Sequence, residues 1–83
     1  MTKNELFEAL SRHNWEIRGS DFAEKVKHKV KIYCDIEPNT NKLESRLHYH
    51  GNGIKFNVPL SSVNIVNCRL KAEWMNNKVE VWI

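Results

Sequence analysis

The chain has 83 residues, 41% hydrophobic and 28% charged, with a formal charge of +3. That size sets a single domain, 1–83, with a thin stability margin, and the composition lacks the bias of disordered, repetitive or collagenous chains. No run approaches the ~20 apolar residues of a membrane span, two cysteines are too few for a disulfide framework, and the polar N-terminus lacks signal-peptide features, so the expected address is cytoplasmic, with both thiols free and buried.

Thr2-Lys3-Asn4-Glu5 reads as a capping box, in which the Thr2 hydroxyl accepts from the third helical amide and Glu5 reaches back. Leu6, Phe7 and Leu10 follow at helical spacing, and Asn14 suits the left-handed conformation that ends a helix. The pattern predicts a helix over about 3–13, too short to persist unless it docks. Trp15 and Ile17 alternate with Glu16 and Arg18 as a short strand, and Arg18-Gly19-Ser20-Asp21 reads as a turn.

Residues 25–36, KVKHKVKIYCDI, alternate in parity, and β-branched residues fill the apolar set. They read as one strand, although Phe22, Val26, Val30 and Tyr33 are also spaced for a helix. Lys25, Lys27, Lys29, Lys31, Tyr33 and Asp35 share the outward parity. A polar loop at 37–42 leads to a strand over 43–50, with Leu43, Ser45, Leu47 and Tyr49 on one side. Gly51-Asn52-Gly53 is the clearest turn: an Asn-Gly turn pairs Tyr49 with Phe56, whereas a Gly-Asn turn pairs Tyr49 with Ile54. Both leave the same face apolar.

Pro59 ends the next strand, and residues 61–67 give no clear pattern. Cys68, Leu70, Ala72 and Trp74 then alternate with Arg69, Lys71 and Glu73. An Asn76-Asn77 turn would pair Trp74 with Val79 and set Glu73 opposite Glu80, with Trp82 outward beside Lys71. The expected class is α+β: one N-terminal helix on one face of an antiparallel sheet of about four to five strands.

The outward face carries the candidate site. Expected pairings set Tyr33 beside Arg46, Lys31 beside His48 and Lys29 beside His50, with Lys55 near the histidines. Lys25, Lys27, Lys29, Lys31, Tyr33, Arg46, His48, His50 and Lys55 would then form one basic surface. Lysines along a strand stand ~6.7 Å apart and repel weakly in water, so folding tolerates such a stripe without favouring it. Blocking of a sheet edge, nucleic-acid phosphates or an acidic protein patch would each account for it.

A metal at His48 and His50 would need at least one more ligand, for which Asp35 and Glu44 are available but lie away along the strand, and His28 has inward parity. Glu73, Glu80 and Trp82 form a secondary candidate surface, with Trp82 as a possible anchor. There is no phosphate loop, nucleophile elbow or zinc motif. Residues 5–21, ELFEALSRHNWEIRGSD, resemble the opening of HicA-type mRNA-cleaving toxins, where a helix leads to a Trp-bearing strand and then Gly-Ser-His. Here Asp21 follows Gly19-Ser20, so the catalytic histidine of that pattern is missing and the activity is not carried over.

The sequence thus points to a non-enzymatic binding protein without cofactor or metal, engaging nucleic acid or an acidic protein surface through its basic sheet face. The alternative is a protein-binding inhibitor or adaptor, of the kind phages and plasmids use against nucleic-acid enzymes. A homodimer through an edge strand is a further option, and no membrane association is expected.

Overall fold

The capping box forms as read. In the computed structural model the Glu5 amide donates to Thr2 Oγ1 at 3.1 Å, and the Thr2 amide donates to Glu5 Oε1 at 3.0 Å. Hydrogen bonding from the Thr2 amide first, and then from the Thr2 side chain, holds the Glu5 carboxyl below its ordinary value. Helix α1 spans Lys3–Arg12, and Asn14 follows with a φ of 67°. Leu6 and Leu10 are fully buried, each contributing about 1.5–3 kcal/mol of apolar burial that fixes the helix to the core.

The structure describes residues 1–39 and 42–83, and side chains outside 37–43. Five strands form one antiparallel sheet in chain order: β1 (Glu16–Arg18), β2 (Phe22–Lys25), β3 (Val30–Asn39), β4 (Lys42–Gly51) and β5 (Ile54–Pro59). Three more form a second: β6 (Val63–Val66), β7 (Arg69–Trp74) and β8 (Asn77–Trp82). The class is α+β, with the helix on the five-stranded sheet. Helix residues Leu6, Phe7 and Leu10, sheet residues Ala23, Ile32, Cys34, Leu47 and Tyr49, and second-sheet residues Val63, Leu70 and Val81 belong to one hydrophobic cluster.

The continuous strand expected at 25–36 is corrected. β2 ends at Lys25, Val26–His28 make a single 3-10 turn, and Lys29 adopts a left-handed φ of 56° before β3 begins. The alternation is real on both sides of the reversal but does not encode it, because no Gly, Pro or Asn marks the turn. Folding back lets Ala23 pair with Ile32, and both become fully buried. That burial offsets the cost, roughly 1–2 kcal/mol, of a left-handed lysine. Val26 and His28, given inward parity in the sequence, sit exposed in the turn. The polar loop at 37–42 shortens, since β3 reaches Asn39 and β4 starts at Lys42; positions 40 and 41 lie outside the described residues.

Two registers also move, each by two residues. Lys31 pairs with His50 and Tyr33 with His48. The last hairpin turns at Met75-Asn76, with φ of 50° and 65°, so Trp74 pairs with Asn77. A two-residue shift leaves every side chain on its expected face. The Asn52-Gly53 turn is the Asn-Gly alternative, pairing Tyr49 with Phe56. The unreadable stretch 61–67 holds the end of a 3-10 turn, Leu60–Ser62, and all of β6.

Candidate functional site

The face of the five-stranded sheet away from the core carries two cross-strand rows. Lys31, His50 and Lys55 are register partners on β3, β4 and β5, and Glu24 of β2 extends the row. The next row runs Phe22, Tyr33, His48 and Asn57. Tyr33 and His48 stack with ring centroids 4.5 Å apart and planes 1° from parallel, and His50 tilts against Tyr33 at 5.8 Å. Nε2 of His48 lies 2.8 Å from Oδ1 of Asp35, which fixes the imidazole. Between the rows, Tyr33, His48, His50, Lys55, Phe56 and Asn57 line a shallow depression, and Glu24, Lys29, Lys31 and His50 are among the residues that line its neighbour.

The lysines of this face are not tied up in salt bridges. Among the described residues Lys25, Lys27, Lys29, Lys31 and Lys55 make no ion pair within 4 Å. Glu24, the nearest acid across the ladder from Lys31, is held by Arg18. Desolvation, then Lys55 and Lys31, push the His50 imidazole below its ordinary value. Like charges directly opposite one another destabilise a sheet by roughly 0.2–1 kcal/mol, so the Lys31–His50–Lys55 row resists protonation of the imidazole between its two lysines.

The expected site residues divide. The structure brings Lys29, Lys31, Tyr33, His48, His50 and Lys55 together. It does not bring Lys25, which pairs with buried Val30 and shares its core-side parity, and Lys27 stands in the exposed 3-10 turn. Nor does Arg46 offer a free cation: it is 8% exposed, with Nε on Asn57 Oδ1 at 2.7 Å, Nη2 on the Asn57 carbonyl at 3.2 Å and Nη1 on Glu44 Oε2 at 3.3 Å. Phe22 and Asn57 were not singled out by the sequence; once the hairpins are drawn, their parity with Tyr33 and Lys55 places them here.

On the second sheet the Glu73–Glu80 opposition disappears. Glu73 pairs with Lys78 and Glu80 with Lys71, so each acid faces a base. Glu80 also meets Arg69 at 2.8 Å. Trp82 is 66% exposed and pairs with Arg69, whose guanidinium sits 4.4 Å from the indole centroid, rather than with Lys71.

No group of three His, Cys, Asp or Glu side chains among the described residues is placed to hold a metal ion. Cys34 is buried, but Cys68, expected to be buried, is exposed in the β6–β7 turn, where its φ is 66°. No family model matches the chain, and no curated protein or solved structure matches it, so the resemblance of residues 5–21 to HicA-type toxins gains no support.

Proposed function

We propose that this chain is a non-enzymatic binding protein that takes the phosphate backbone of a nucleic acid on the outer face of its five-stranded sheet. The observation that carries the reading is the row Lys31–His50–Lys55, in which two lysines flank an imidazole and neither lysine makes an ion pair within 4 Å among the described residues, Glu24 opposite Lys31 being held by Arg18. A passing phosphate chain relieves their mutual repulsion and releases its own counterions. Lys29 lies with Lys31 and His50 around the adjoining depression, and the Tyr33–His48 stack gives a flat aromatic surface beside them. The narrower cation set replaces the nine-residue surface read from sequence, because Arg46 is spent internally and Lys25 shares the core-side parity.

The test is fluorescence anisotropy with labelled single-stranded and duplex oligonucleotides across a salt series. Three lysine contacts give a log–log salt slope of about −2 to −3. Lys31→Glu with Lys55→Glu is expected to abolish binding and leave the melting temperature nearly unchanged, whereas Lys27→Glu has little effect. Absence of binding to every oligonucleotide at low salt, with a folded protein, rejects the reading.

A further inference from the structure

Strand β8 is a free edge. It lies at the end of the β6-β7-β8 sheet. In a two-residue hairpin the closing pair, here Trp74 and Asn77, exchanges both ladder bonds. Asn77, Val79 and Val81 therefore turn their backbone groups toward β7, and the Ile83 amide continues that parity by donating to the Cys68 carbonyl at 3.0 Å. Lys78, Glu80 and Trp82 turn theirs outward, where no backbone group among the described residues meets them.

Such an edge is usually blunted by proline, a bulge or an isolated lysine. β8 has no proline or glycine, its register with β7 is unbroken, and its lysine is followed two residues later by a glutamate. β5, the other six-residue edge, ends in Pro59 and carries no acid.

We propose that β8 is the dimerisation edge of this chain, pairing antiparallel with β8 of a second copy about a two-fold axis at Val79. Only registers that oppose outward-bonding residues keep the new ladder intact. Centred on Val79, Lys78 exchanges backbone bonds with the partner's Glu80, and Glu80 with the partner's Lys78, so both cross-strand side-chain pairs are oppositely charged. Centred on Glu80, the two glutamates would face each other. The surrounding charges agree with the first register. Within one chain Glu73 flanks Lys78 and Lys71 flanks Glu80. Across the seam the sequence Glu73, Lys78, the partner's Glu80, the partner's Lys71 alternates in sign. Half-buried Val79 meets its own copy, and Trp82 comes alongside the partner's Met75-Asn76 turn, bringing together two apolar side chains that are 66% and 71% exposed in the single chain. The product is a continuous six-stranded sheet built from two three-stranded ones.

The experiment is sedimentation velocity over a concentration series on the 9.8 kDa chain and two charge-swap variants, with circular dichroism as the folding control. The wild type is expected to reach twice the monomer mass. Lys78→Glu alone places acids against acids and runs as a monomer; Glu80→Lys alone places bases against bases and does the same. Mixed in equal amounts, the two variants restore both opposite-charge pairs and form a heterodimer. In the wild type, the Lys78 and Glu80 amides exchange slowly with deuterium at high concentration and faster on dilution, which tests the seam without any substitution. A wild type that stays monomeric at millimolar concentration, swaps that remain dimeric, a mixture that remains monomeric, or amide exchange at Lys78 and Glu80 independent of concentration each overturns the proposal.

Discussion

The guanidinium of Arg46 lies over the indole of Trp74, its Cζ 4.7 Å from the ring centroid. Arg46 belongs to β4 of the five-stranded sheet and Trp74 to β7 of the three-stranded one, so this contact ties the two sheets together where their hydrophobic cluster ends. The same side chain holds Asn57 on β5 and Glu44 on its own strand. A residue that reads in sequence as one more surface cation is thereby a fastener.

Arg46→Ala is expected to destabilise the fold by about 2–3 kcal/mol, because it leaves Asn57 and the largely shielded Glu44 carboxylate without this partner and strips the face of Trp74. Urea unfolding followed by tryptophan fluorescence measures it. Arg46→Lys keeps the charge but loses the two-pronged grip on Asn57, and falls between the two. A loss below about 0.5 kcal/mol for the alanine variant would show that the sheets are held by apolar packing alone.

Gly51 predicts a second effect. A Cβ built there would stand 2.6 Å from Cγ2 and 3.0 Å from Cα of Val30, so β4 passes the start of β3 with no room for a side chain. Gly51→Ala should cost about 1–3 kcal/mol through overpacking, read in the same unfolding assay. Gly53 meets nothing within 4 Å, and its φ of +75° is the constraint instead. Replacing it with alanine costs about 1–2 kcal/mol through backbone strain.

What the sequence made legible follows what each signal encodes. The Thr2–Glu5 box and Leu6-Phe7-Leu10 spacing report local bonding and one buried stripe, and the helix is where they put it. Parity along β3, β4, β7 and β8 reports which side of a sheet is apolar, and that survived register errors of two residues because a pleat repeats every two. Parity cannot report where a chain reverses. Lys25 to Val30 therefore read as strand through a turn formed by Val, Lys and His, and the lysine stripe was divided between two strands and their connection. Nor does parity show that an outward arginine is bonded within the fold, since Arg46 depends on residues 11 and 28 positions further along the chain.

The two thiols should behave differently. Burial pushes the Cys34 thiol up to about 11, Lys3 opposing and Asp35 and Asp21 adding to it, whereas Cys68 is exposed. Titration with an aromatic disulfide at pH 8 should count one reacting thiol in the native protein and two in denaturant. Cys68→Ser should leave none in the native protein. Two fast thiols in the folded wild type would place Cys34 at the surface.

The last prediction concerns pH and joins His50 to the proposed phosphate site. Desolvation first, and then Lys55, Lys31 and His48, lower its value from 6.5, so the free protein holds it neutral at pH 7. A phosphate beside it reverses the local field and favours the charged form, so binding takes up a proton. Affinity for an oligonucleotide should therefore rise as pH falls from 8, and level off once the free protein is itself protonated. His50→Gln should flatten this rise while leaving affinity at pH 8 nearly unchanged. Stability moves the other way. The folded chain binds that proton less readily than the unfolded one, so stability is full above pH 6.5 and declines as pH falls toward the depressed folded value. Binding curves at several pH values, with melting temperatures on the same samples, separate the two trends, and an affinity that rises equally in His50→Gln assigns the proton to another histidine.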